Sequence, residues 1–414
     1  MKLTFGGDKK SNGFGKYEEE EFESATLEVG MTDVDLSNKN LGAGGAILVG
    51  AWISHKDHGT IVKFNIGDNH IREEGTKAVA AALKGNKLLA ELNISSNQMC
   101  WDDESGAIAI ANAIPTMEGL VKFNISANDL RANGGKALAD ALKGNPILKE
   151  LNIAGNNLGK DSSPCGGKTD MSGVIAIGNA IPTMGALTSL YMSNNKLATK
   201  EAGQALAGAL AANSTLKELD VSNNYDRYEA NDGPCFAKEL AIGVSANGAI
   251  ETLNISNNSM ATKEAGKALA DALAANSVLK ELNVANNLDG FFGTNTDGSA
   301  FAQELANGVC YSTTKGAMTS LNISGNNIGQ LVLPDGWEKD NGCFYGPDDE
   351  EQEEPPEGSS PAGIIAISNA IPTMRALTNL DISDNNIGGY YDDDDWISDM
   401  SGVKALAAAI PECK

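Results

Sequence analysis

The chain has 414 residues, of which 42% are hydrophobic and 5% aromatic, and its 31 Lys and Arg against 55 Asp and Glu give a formal charge of −24 at pH 7. No run of about 18 apolar residues occurs, and the first residues lack the apolar segment of a secretory signal, so neither membrane insertion nor secretion is expected. The negative charge repels phosphate backbones, which argues against a nucleic-acid partner. Six cysteines are too few for a disulfide framework, so an intracellular, cytoplasmic protein with free thiols is expected.

Residues 1–30 precede the first repeat and are predicted to be an N-terminal extension or cap. From residue 31 to residue 410 the pattern Leu-x-x-Leu-x-Leu-x-x-Asn-x-Leu recurs, most clearly at 89–99 and 148–158. We count eleven copies, of which the first, at 31–41, has Lys39 in place of the asparagine. The asparagines of the other ten are Asn69, Asn97, Asn128, Asn156, Asn195, Asn224, Asn258, Asn287, Asn326 and Asn385. A single repeat domain over 31–410, followed by a tail at 411–414, is predicted.

Between the leucine patterns lie helical patterns of two kinds. One is Lys-Ala-Leu-Ala-Asp-Ala-Leu, at 136–142 and 267–273, and the other is Gly-Val-Ile-Ala-Ile-Gly-Asn-Ala-Ile-Pro-Thr-Met, at 173–184 with near copies at 106–117 and 363–374. Proline cannot continue a helix, so Pro115, Pro182 and Pro372 each mark a helix end.

These repeats resemble the leucine-rich repeat proteins, specifically the ribonuclease-inhibitor-like type that includes ribonuclease inhibitors and Ran GTPase-activating proteins. The resemblance implies an α/β solenoid, a horseshoe with parallel β-strands on the concave face and α-helices on the convex face. The residues agree with that architecture, because parallel strands need a helical crossover and because helices take more room than strands in a stack. One repeat cannot bury its apolar face alone, so the repeats are expected to stack.

The asparagine that follows each predicted strand is interpreted as structural. Its position suggests that its amide satisfies backbone groups of neighbouring turns, rather than binding a ligand. The exposed strand positions are mostly Asn and Ser, as at Asn93 and Ser95, and Tyr191 is their one aromatic residue. This face is predicted to be a hydrogen-bonded polar ladder, or else a polar and weak binding surface.

The variable part of the chain lies in insertions between strand and helix. The main ones cover 159–170, 225–235, 289–299, 329–362 and 388–400, and the acidic run at 348–357 is expected to be disordered. Because the insertions occupy equivalent positions, they are expected to line one rim, at the carboxyl ends of the strands, where function often lies. The aromatic candidates for partner binding, including Tyr191 from the strands, are Trp101, Tyr191, Tyr225, Tyr228, Phe291, Phe292, Trp337, Phe344, Tyr345, Tyr390, Tyr391 and Trp396. The alternative is that these aromatics only pack the loops together.

No catalytic chemistry is evident in the sequence. The three histidines are His55, His58 and His70, the last separated from the first two by a strand, and no zinc, phosphate-loop or CxxC motif occurs. The cysteines lie far along the chain from every histidine, so free thiols are favoured over a nucleophile. We therefore expect no enzyme, no cofactor and no metal.

The leading hypothesis is a protein–protein interaction scaffold that binds a partner, expected to be basic, through the acidic aromatic loops, the concave face, or both. A second hypothesis follows from the resemblance to Ran GTPase-activating proteins, which carry an important arginine in an early strand-to-helix loop. Arg72 and Arg131 occupy comparable loops here, although Glu73 and Glu74 favour a local ion pair or a helix-start contact for Arg72. A third is an architectural subunit of a larger complex.

Overall fold

A computed structural model describes the backbone of residues 2–5, 25–55, 60–162, 167–226, 232–288, 297–314, 318–329, 331, 333, 337–340, 343–346, 351–352, 359–392 and 395–412. The chain divides into two compact units. The first comprises Met1–Leu197 and Ala212–Asn224, and the second comprises Ala198–Ala211 and Tyr225–Lys414.

In the first unit, seven three-residue strands form a parallel sheet in which each strand is hydrogen-bonded to the next along the chain. They are β3 (Asp33–Asp35), β4 (Lys63–Asn65), β5 (Glu91–Asn93), β6 (Lys122–Asn124), β7 (Glu150–Asn152), β8 (Ser189–Tyr191) and β9 (Glu218–Asp220). The helices between them are α1 (Gly42–Ile53), α2 (Arg72–Leu83), α3 (Ser105–Ala113), α4 (Arg131–Leu142) and α5 (Ser172–Ala180). An antiparallel hairpin of β1 (Lys2–Phe5) and β2 (Ala25–Glu28) precedes the sheet.

The second unit repeats this plan with four parallel strands, β10 (Thr252–Asn254), β11 (Glu281–Asn283), β12 (Ser320–Asn322) and β16 (Asn379–Asp381). Its helices are α6 (Lys200–Ala212), α7 (Gly233–Ala246), α8 (Lys263–Ala275), α9 (Gly298–Thr314), α10 (Ala362–Ala370) and α11 (Ser401–Ala409). The last residue of α6, Ala212, belongs to the first unit. Two small antiparallel sheets lie in its insertions: β13 (Glu338–Asp340) with β14 (Cys343–Tyr345) and β15 (Glu351–Gln352), and β17 (Gly389–Asp392) with β18 (Asp395–Ser398).

The leucine pattern accounts for the core of both units. In the strands from β3 to β12 the middle residue, such as Leu92 or Leu253, is buried and the residues on either side face outward, whereas the middle residue of β16, Leu380, is partly exposed. The other pattern positions, such as Leu89 and Ile94, are fully buried between strand and helix. The predicted α/β leucine-rich-repeat solenoid, with parallel strands in one layer and helices in the other, is confirmed.

The three motif prolines end helices, as predicted, although the chain then makes one further 3₁₀ turn. These turns cover Ile114–Thr116, Ile181–Thr183 and Ile371–Thr373. In one respect the prediction for the insertions is wrong: Glu351–Gln352, inside the acidic run that is expected to be disordered, pairs with Phe344–Tyr345 as a strand. The sequence pattern did not indicate this, because the pairing partners come from outside the run.

Candidate partner-binding surfaces

The ten repeat asparagines are buried, each with 2% or less of its surface exposed, and they form hydrogen-bonded series along each unit. The backbone N–H of Asn128 donates to Oδ1 of Asn156 at 2.9 Å, and the N–H of Asn156 donates to Oδ1 of Asn195 at 2.9 Å. The Nδ2 of Asn156 donates to the carbonyls of Ile125 and Ile153. Every group of the side chain is therefore used inside the protein, which leaves none for a ligand.

The series continues past the departure from the pattern in the first repeat. Lys39, which stands in place of the asparagine, still donates its backbone N–H to Oδ1 of Asn69 at 2.9 Å. In the second unit the N–H groups of Asn258, Asn287 and Asn326 donate in turn to the asparagine of the next repeat.

A second set of asparagines, which the sequence analysis did not single out, lies at the helix ends. Asn213, Asn247 and Asn276 are each buried, and their Nδ2 groups donate to carbonyls of the preceding repeat. Their Oδ1 atoms accept from the backbone two and three residues later. The recurrence of Ala-Asn-Ser before the leucine pattern, at 212–214 and 275–277, was the available signal.

The outward residues of β3 to β7 form what we call the strand face of the first unit, which borders a cavity of about 390 Å³. Charges alternate along it from Asp33 to Lys63, Glu91, Lys122 and Glu150. Lys63 pairs with Glu91 at 3.0 Å and Lys122 pairs with Glu150 at 2.8 Å. The charge of each lysine is thus neutralised by a glutamate of the next strand.

The second row of the strand face is polar. Oδ1 of Asn93 and of Asn124 accepts the N–H two residues later, at 3.1 Å in both cases, so these bonds close local turns and do not cross the sheet. Among the described residues the Nδ2 groups of Asn93, Asn124 and Asn152 donate to no protein acceptor. Asn65 differs, since its Nδ2 donates to Asp35 at 3.0 Å. The face therefore offers a row of amide donors between carboxylates.

Tyr191, the aromatic residue of this row, donates its hydroxyl to Oε2 of Glu218 at 2.9 Å. Partial burial, together with this carboxylate, raises the pKa of Tyr191 to about 12. The ring is half-buried.

On the rim of the first unit, which we define as the loops that run from strand to helix, Trp101 and Arg72 contact each other. Trp101 is 59% exposed, and the Cζ of Arg72 lies 5.3 Å from its ring centroid, within cation–π range. Glu73 is buried and its Oε1 accepts the backbone N–H of Asp102 at 2.6 Å, which fixes the Trp101 loop to α2. Glu74 pairs instead with Lys77 at 2.7 Å.

Of the two local roles that the sequence suggests for Arg72, the ion pair is not formed among the described residues. Arg72 begins α2, and its side chain contacts the ring of Trp101, one repeat later. Arg131 does form a local pair, since its Nε and Nη2 donate to Oδ2 of Asp129 at 3.0 and 2.7 Å. This bond raises the pKa of Arg131. Both arginines begin a helix in the left-handed region, with φ of +53°.

Acidic groups surround the Trp101 loop. The side chains of Asp102 and Asp103 are exposed, and the pKa of Asp103 is lowered by hydrogen bonds from Ser105. Glu104 accepts from Ser162 and, at 3.4 Å, from Asn133, and the bond from Ser162 lowers its pKa. These carboxylates lie beside an exposed indole.

The remaining aromatic candidates lie in several environments. In the second unit Trp337 and Tyr345 are half-buried, with the six-membered ring of Trp337 against Gly346, and Tyr225 is also half-buried. Phe344 lies in β14, Tyr390 and Tyr391 lie in β17, and Trp396 lies in β18, opposite Tyr391. Tyr228, Phe291 and Phe292 lie outside the described residues, as do His58 and Cys165.

Within the described ranges, no group of three His, Cys, Asp or Glu side chains is placed to hold a metal ion. No described helix has the length and apolar character needed to cross a bilayer. Cys100, Cys235 and Cys310 are not in disulfide bonds, and burial raises the pKa of Cys100 to about 12. The hydrogen bond with Asp232 and partial burial also raise the pKa of Cys235, so neither of these two thiols is activated by a low pKa.

Comparison with known proteins gives similarities in three forms. A family model described as "Leucine Rich repeat" matches residues 144–162 and 318–330. Protein CARMIL of Dictyostelium discoideum is 26% identical over 204 residues, which is 48% of this chain and 18% of that protein. RAN GTPase-activating protein 2 of Arabidopsis thaliana is 31% identical over 94 residues, 22% of this chain and 17% of that protein. The chain thus matches less than a fifth of the length of either relative.

Two solved structures are also similar. One is the yeast complex of Rad7 and Elc1, with 15% identity, a TM-score of 0.40, and coverage of 71% of this chain and 69% of that one. The other is a complex of TLR13 with ssRNA13, with 17% identity, a TM-score of 0.39, and coverage of 84% of this chain and 39% of that one.

Proposed function

Because this chain is a leucine-rich repeat protein of the ribonuclease-inhibitor-like type, we propose that it acts as a non-enzymatic scaffold that binds a partner protein through the rim of its first unit. The observation that carries this proposal is Trp101, a large aromatic side chain that is 59% exposed and held by Arg72 amid carboxylates. Exposed aromatics and arginines are the side chains that contribute most to protein interfaces.

The proposed partner is basic. Asp102 and Asp103 are exposed beside Trp101. On the strand face both lysines are already paired with glutamates, so the carboxylates of Asp33 and Asp35 make the β3 end of that face negative. Complementary charge of this kind raises association rates and selects partners more than it adds affinity. The row of amide donors at Asn93, Asn124 and Asn152 suits a partner that presents carbonyl oxygens.

Capture from native extract by the immobilised chain tests this proposal. Trp101→Ala is expected to weaken capture of the partner about tenfold or more, which is the usual effect of removing a central aromatic side chain. Ile242→Ala is the matched control, since Ile242 is 63% exposed on α7 and is not part of the rim. Equal capture by wild type and Trp101→Ala, with both folded by circular dichroism, would contradict the proposal.

The alternative, activation of a Ran-like GTPase, rests on the similarity to RAN GTPase-activating protein 2 and on the shared backbone geometry of Arg72 and Arg131. Arg131 is held by two bonds to Asp129, and Arg72 lies over Trp101. A hydrolysis assay with a Ran-type GTPase, using wild type, Arg72→Ala and Arg131→Ala, separates the two functions. The scaffold proposal expects no stimulation, whereas stimulation that either variant abolishes would replace it with the alternative.

A further inference from the structure

We propose that the strand face of the first unit binds a neutral carbohydrate, an oligosaccharide that lies along the row of asparagines on β4 to β7. The face borders a cavity of about 390 Å³, which falls in the range of small-ligand sites, roughly 300 to 1,000 Å³. The cavity is lined by residues of β3 to β7, and none of them belongs to the rim that is proposed to bind a protein. Neither proposal depends on the other.

Away from β3, the charged residues of the cavity are paired with each other. Nζ of Lys63 lies 3.0 Å from Oε1 of Glu91, and Nζ of Lys122 lies 2.8 Å from Oε2 of Glu150. An anionic ligand would have to compete with these glutamates for the lysines, and a cationic ligand would meet further carboxylates only at the β3 end. The rest of the cavity therefore suits a ligand without net charge.

The cavity also offers little apolar surface. Phe64, Leu92 and Phe123 are among its lining residues, but each is at most 2% exposed because its side chain faces the core. An apolar ligand would therefore bury little area there and gain little free energy. The groups available to a ligand are polar, and a carbohydrate is a neutral ligand whose surface consists largely of hydroxyl groups.

Gly67 brings three polar atoms together at one point of this face. A Cβ added at Gly67 would lie 3.0 Å from Oγ of Ser95, 3.2 Å from Nδ2 of Asn93 and 3.3 Å from Oδ1 of Asn65. Every other repeat has Ser or Ala at the position of Gly67. A side chain there would crowd the three atoms, so the glycine is what allows them to gather.

These atoms are one acceptor, one donor and one hydroxyl that can act as either. Oδ1 of Asn65 accepts the N–H of Gly67 at 3.1 Å, which orients the amide and leaves the oxygen a second lone pair. Nδ2 of Asn93 and Oγ of Ser95 donate to no other described residue, whereas the hydroxyl of Ser126 is bonded within its own repeat.

A ligand hydroxyl matches this set, because it can donate to Asn65 and accept from Asn93 at the same time. An ammonium group has no acceptor for the amide N–H groups of Asn93. A carboxylate has no donor for the oxygen of Asn65. The donor and acceptor pattern thus selects a hydroxyl group over either charged group.

Asn124 and Asn152 repeat the free amide on the next two strands. The register places Asn93, Asn124 and Asn152 directly opposite one another, and neighbouring strands are about 4.8 Å apart, so the three amides span roughly 10 Å. Each Oδ1 is bonded to the N–H two residues later, which holds the amides in place before a ligand arrives. A chain of linked sugar rings can bond to such a row, whereas a single ring would reach only part of it.

Isothermal titration calorimetry of the 414-residue chain tests the proposal. The probes are three neutral tetrasaccharides (cellotetraose, mannotetraose and tetra-N-acetylchitotetraose) and the anionic tetragalacturonate. At least one neutral probe is expected to bind with a dissociation constant of about 0.1 to 1 mM, as suits a polar site that buries little apolar area. Tetragalacturonate is expected to bind at least about tenfold more weakly than that probe, because both lysines are paired.

Variants of the asparagine row show where the probe binds. Asn93→Ala removes a free donor and Gly67→Ala crowds the three gathered atoms, so each is expected to weaken binding about fivefold to tenfold. Asn124→Ala has a matched control in Asn254→Ala of the second unit. In both residues Oδ1 accepts the N–H and the hydroxyl of the serine two residues later, and only Asn124 lines the cavity. Asn124→Ala should weaken binding, and Asn254→Ala should bind as wild type does.

Four results would overturn the proposal. They are no binding of any neutral probe at about 10 mM, tetragalacturonate binding as tightly as the best neutral probe, Asn254→Ala weakening binding as much as Asn124→Ala, and binding that Asn93→Ala and Gly67→Ala leave unchanged. A peptide of glycine and serine with blocked ends that displaces the best sugar at lower concentration would assign the face to a polypeptide and would also overturn it. Circular dichroism of each variant separates loss of binding from loss of fold.

Discussion

At the scale of single residues, the buried asparagines explain why the repeats tolerate so much change elsewhere. Each turn after a strand bends through a residue with positive φ, such as Ser96 or Ala127 just before the repeat asparagine, and its carbonyls and N–H groups turn away from the sheet. Asn97 and Asn128 bond these groups from inside the protein. A buried backbone group without a partner costs free energy, so the amide is needed at this point.

We expect Asn156→Ala to lower the free energy of unfolding by about 3 kcal/mol or more, because it leaves the N–H of Asn128 and the carbonyls of Ile125 and Ile153 without this partner. Urea unfolding measures the change. Asn133→Ala, at an exposed position of α4, should stay within about 0.5 kcal/mol of wild type. Similar losses for the two variants would contradict the structural role of Asn156.

Cys100 gives a prediction about pH. Burial raises the pKa of its thiol to about 12 in the folded protein, above the value of about 8.5 expected in the unfolded chain. The unfolded state therefore loses this proton first as the pH rises. The contribution of the buried neutral thiol to the free energy of unfolding is fully present below about pH 8.5. It is lost progressively toward pH 12, by at most about 1.4 kcal/mol per pH unit.

The measurement is urea unfolding of wild type and Cys100→Ala between neutral pH and pH 11. The stability advantage of wild type over Cys100→Ala should shrink over that range, and Cys100 should resist alkylation at pH 8 in the folded protein. A difference that does not vary with pH, or rapid alkylation, would show that the thiol is not held neutral by burial.

At the scale of elements, small residues set how closely neighbouring helices approach. A Cβ added at Gly243 in α7 would lie 2.5 Å from Cα of Ala207 in α6, whereas a Cβ added at Gly208 in α6 would meet nothing within 4 Å. Both glycines are helical and both belong to the second unit. The two positions thus separate close packing from helix propensity.

Gly243→Ala is expected to destabilise the protein by about 1 to 3 kcal/mol, because the helices must move apart. Gly208→Ala is expected to stabilise it by about 0.5 to 1 kcal/mol, since alanine restricts the unfolded chain and favours the helix. Thermal unfolding of the two variants beside wild type measures both effects. A gain in stability with Gly243→Ala would be inconsistent with the helix contact described.

The strands and helices also show how much of the fold can be predicted from the sequence alone. Strand and helix positions followed from the spacing of leucines such as Leu89 and Leu92, because burial of those side chains fixes the local period. The sheets inside the insertions did not, since the partners of Phe344 and Tyr391 are set by pairing that no local period encodes. The contact of Arg72 with Trp101 was missed for the same reason: the two residues become neighbours only when successive repeats stack.

At the scale of the whole molecule, the charge of −24 governs encounter with other molecules. The field of such a chain attracts cationic partners over a distance that salt shortens to about 10 Å at 0.1 M. In the proposed function, contact at the rim of the first unit then stabilises the encounter complex. Affinity for a basic partner is therefore expected to vary strongly with ionic strength.

Fluorescence anisotropy with oligolysine and oligoglutamate of equal length tests this expectation. Oligolysine should bind at low salt and weaken at least about tenfold as salt rises from about 50 to 500 mM, and oligoglutamate should not bind. Arg72→Ala is the internal control, since removing a cation leaves the sign of the field unchanged. Binding of both probes, or binding that salt does not affect, would contradict the electrostatic part of the proposal.

The direction of the asparagine series has a consequence for how such proteins change in length. The amide oxygen of each repeat asparagine accepts a hydrogen bond from the repeat before it, as that of Asn156 does from the N–H of Asn128. This hydrogen bond is the same whether the two asparagines are 28 or 39 residues apart. The asparagine of a duplicated repeat would accept a hydrogen bond from the repeat before it and donate one to the repeat after it. Gene duplication can therefore lengthen the stack without any new kind of buried hydrogen bond. The number of repeats in this architecture can therefore change by duplication alone, and only the terminal repeats need sequences that differ from the others.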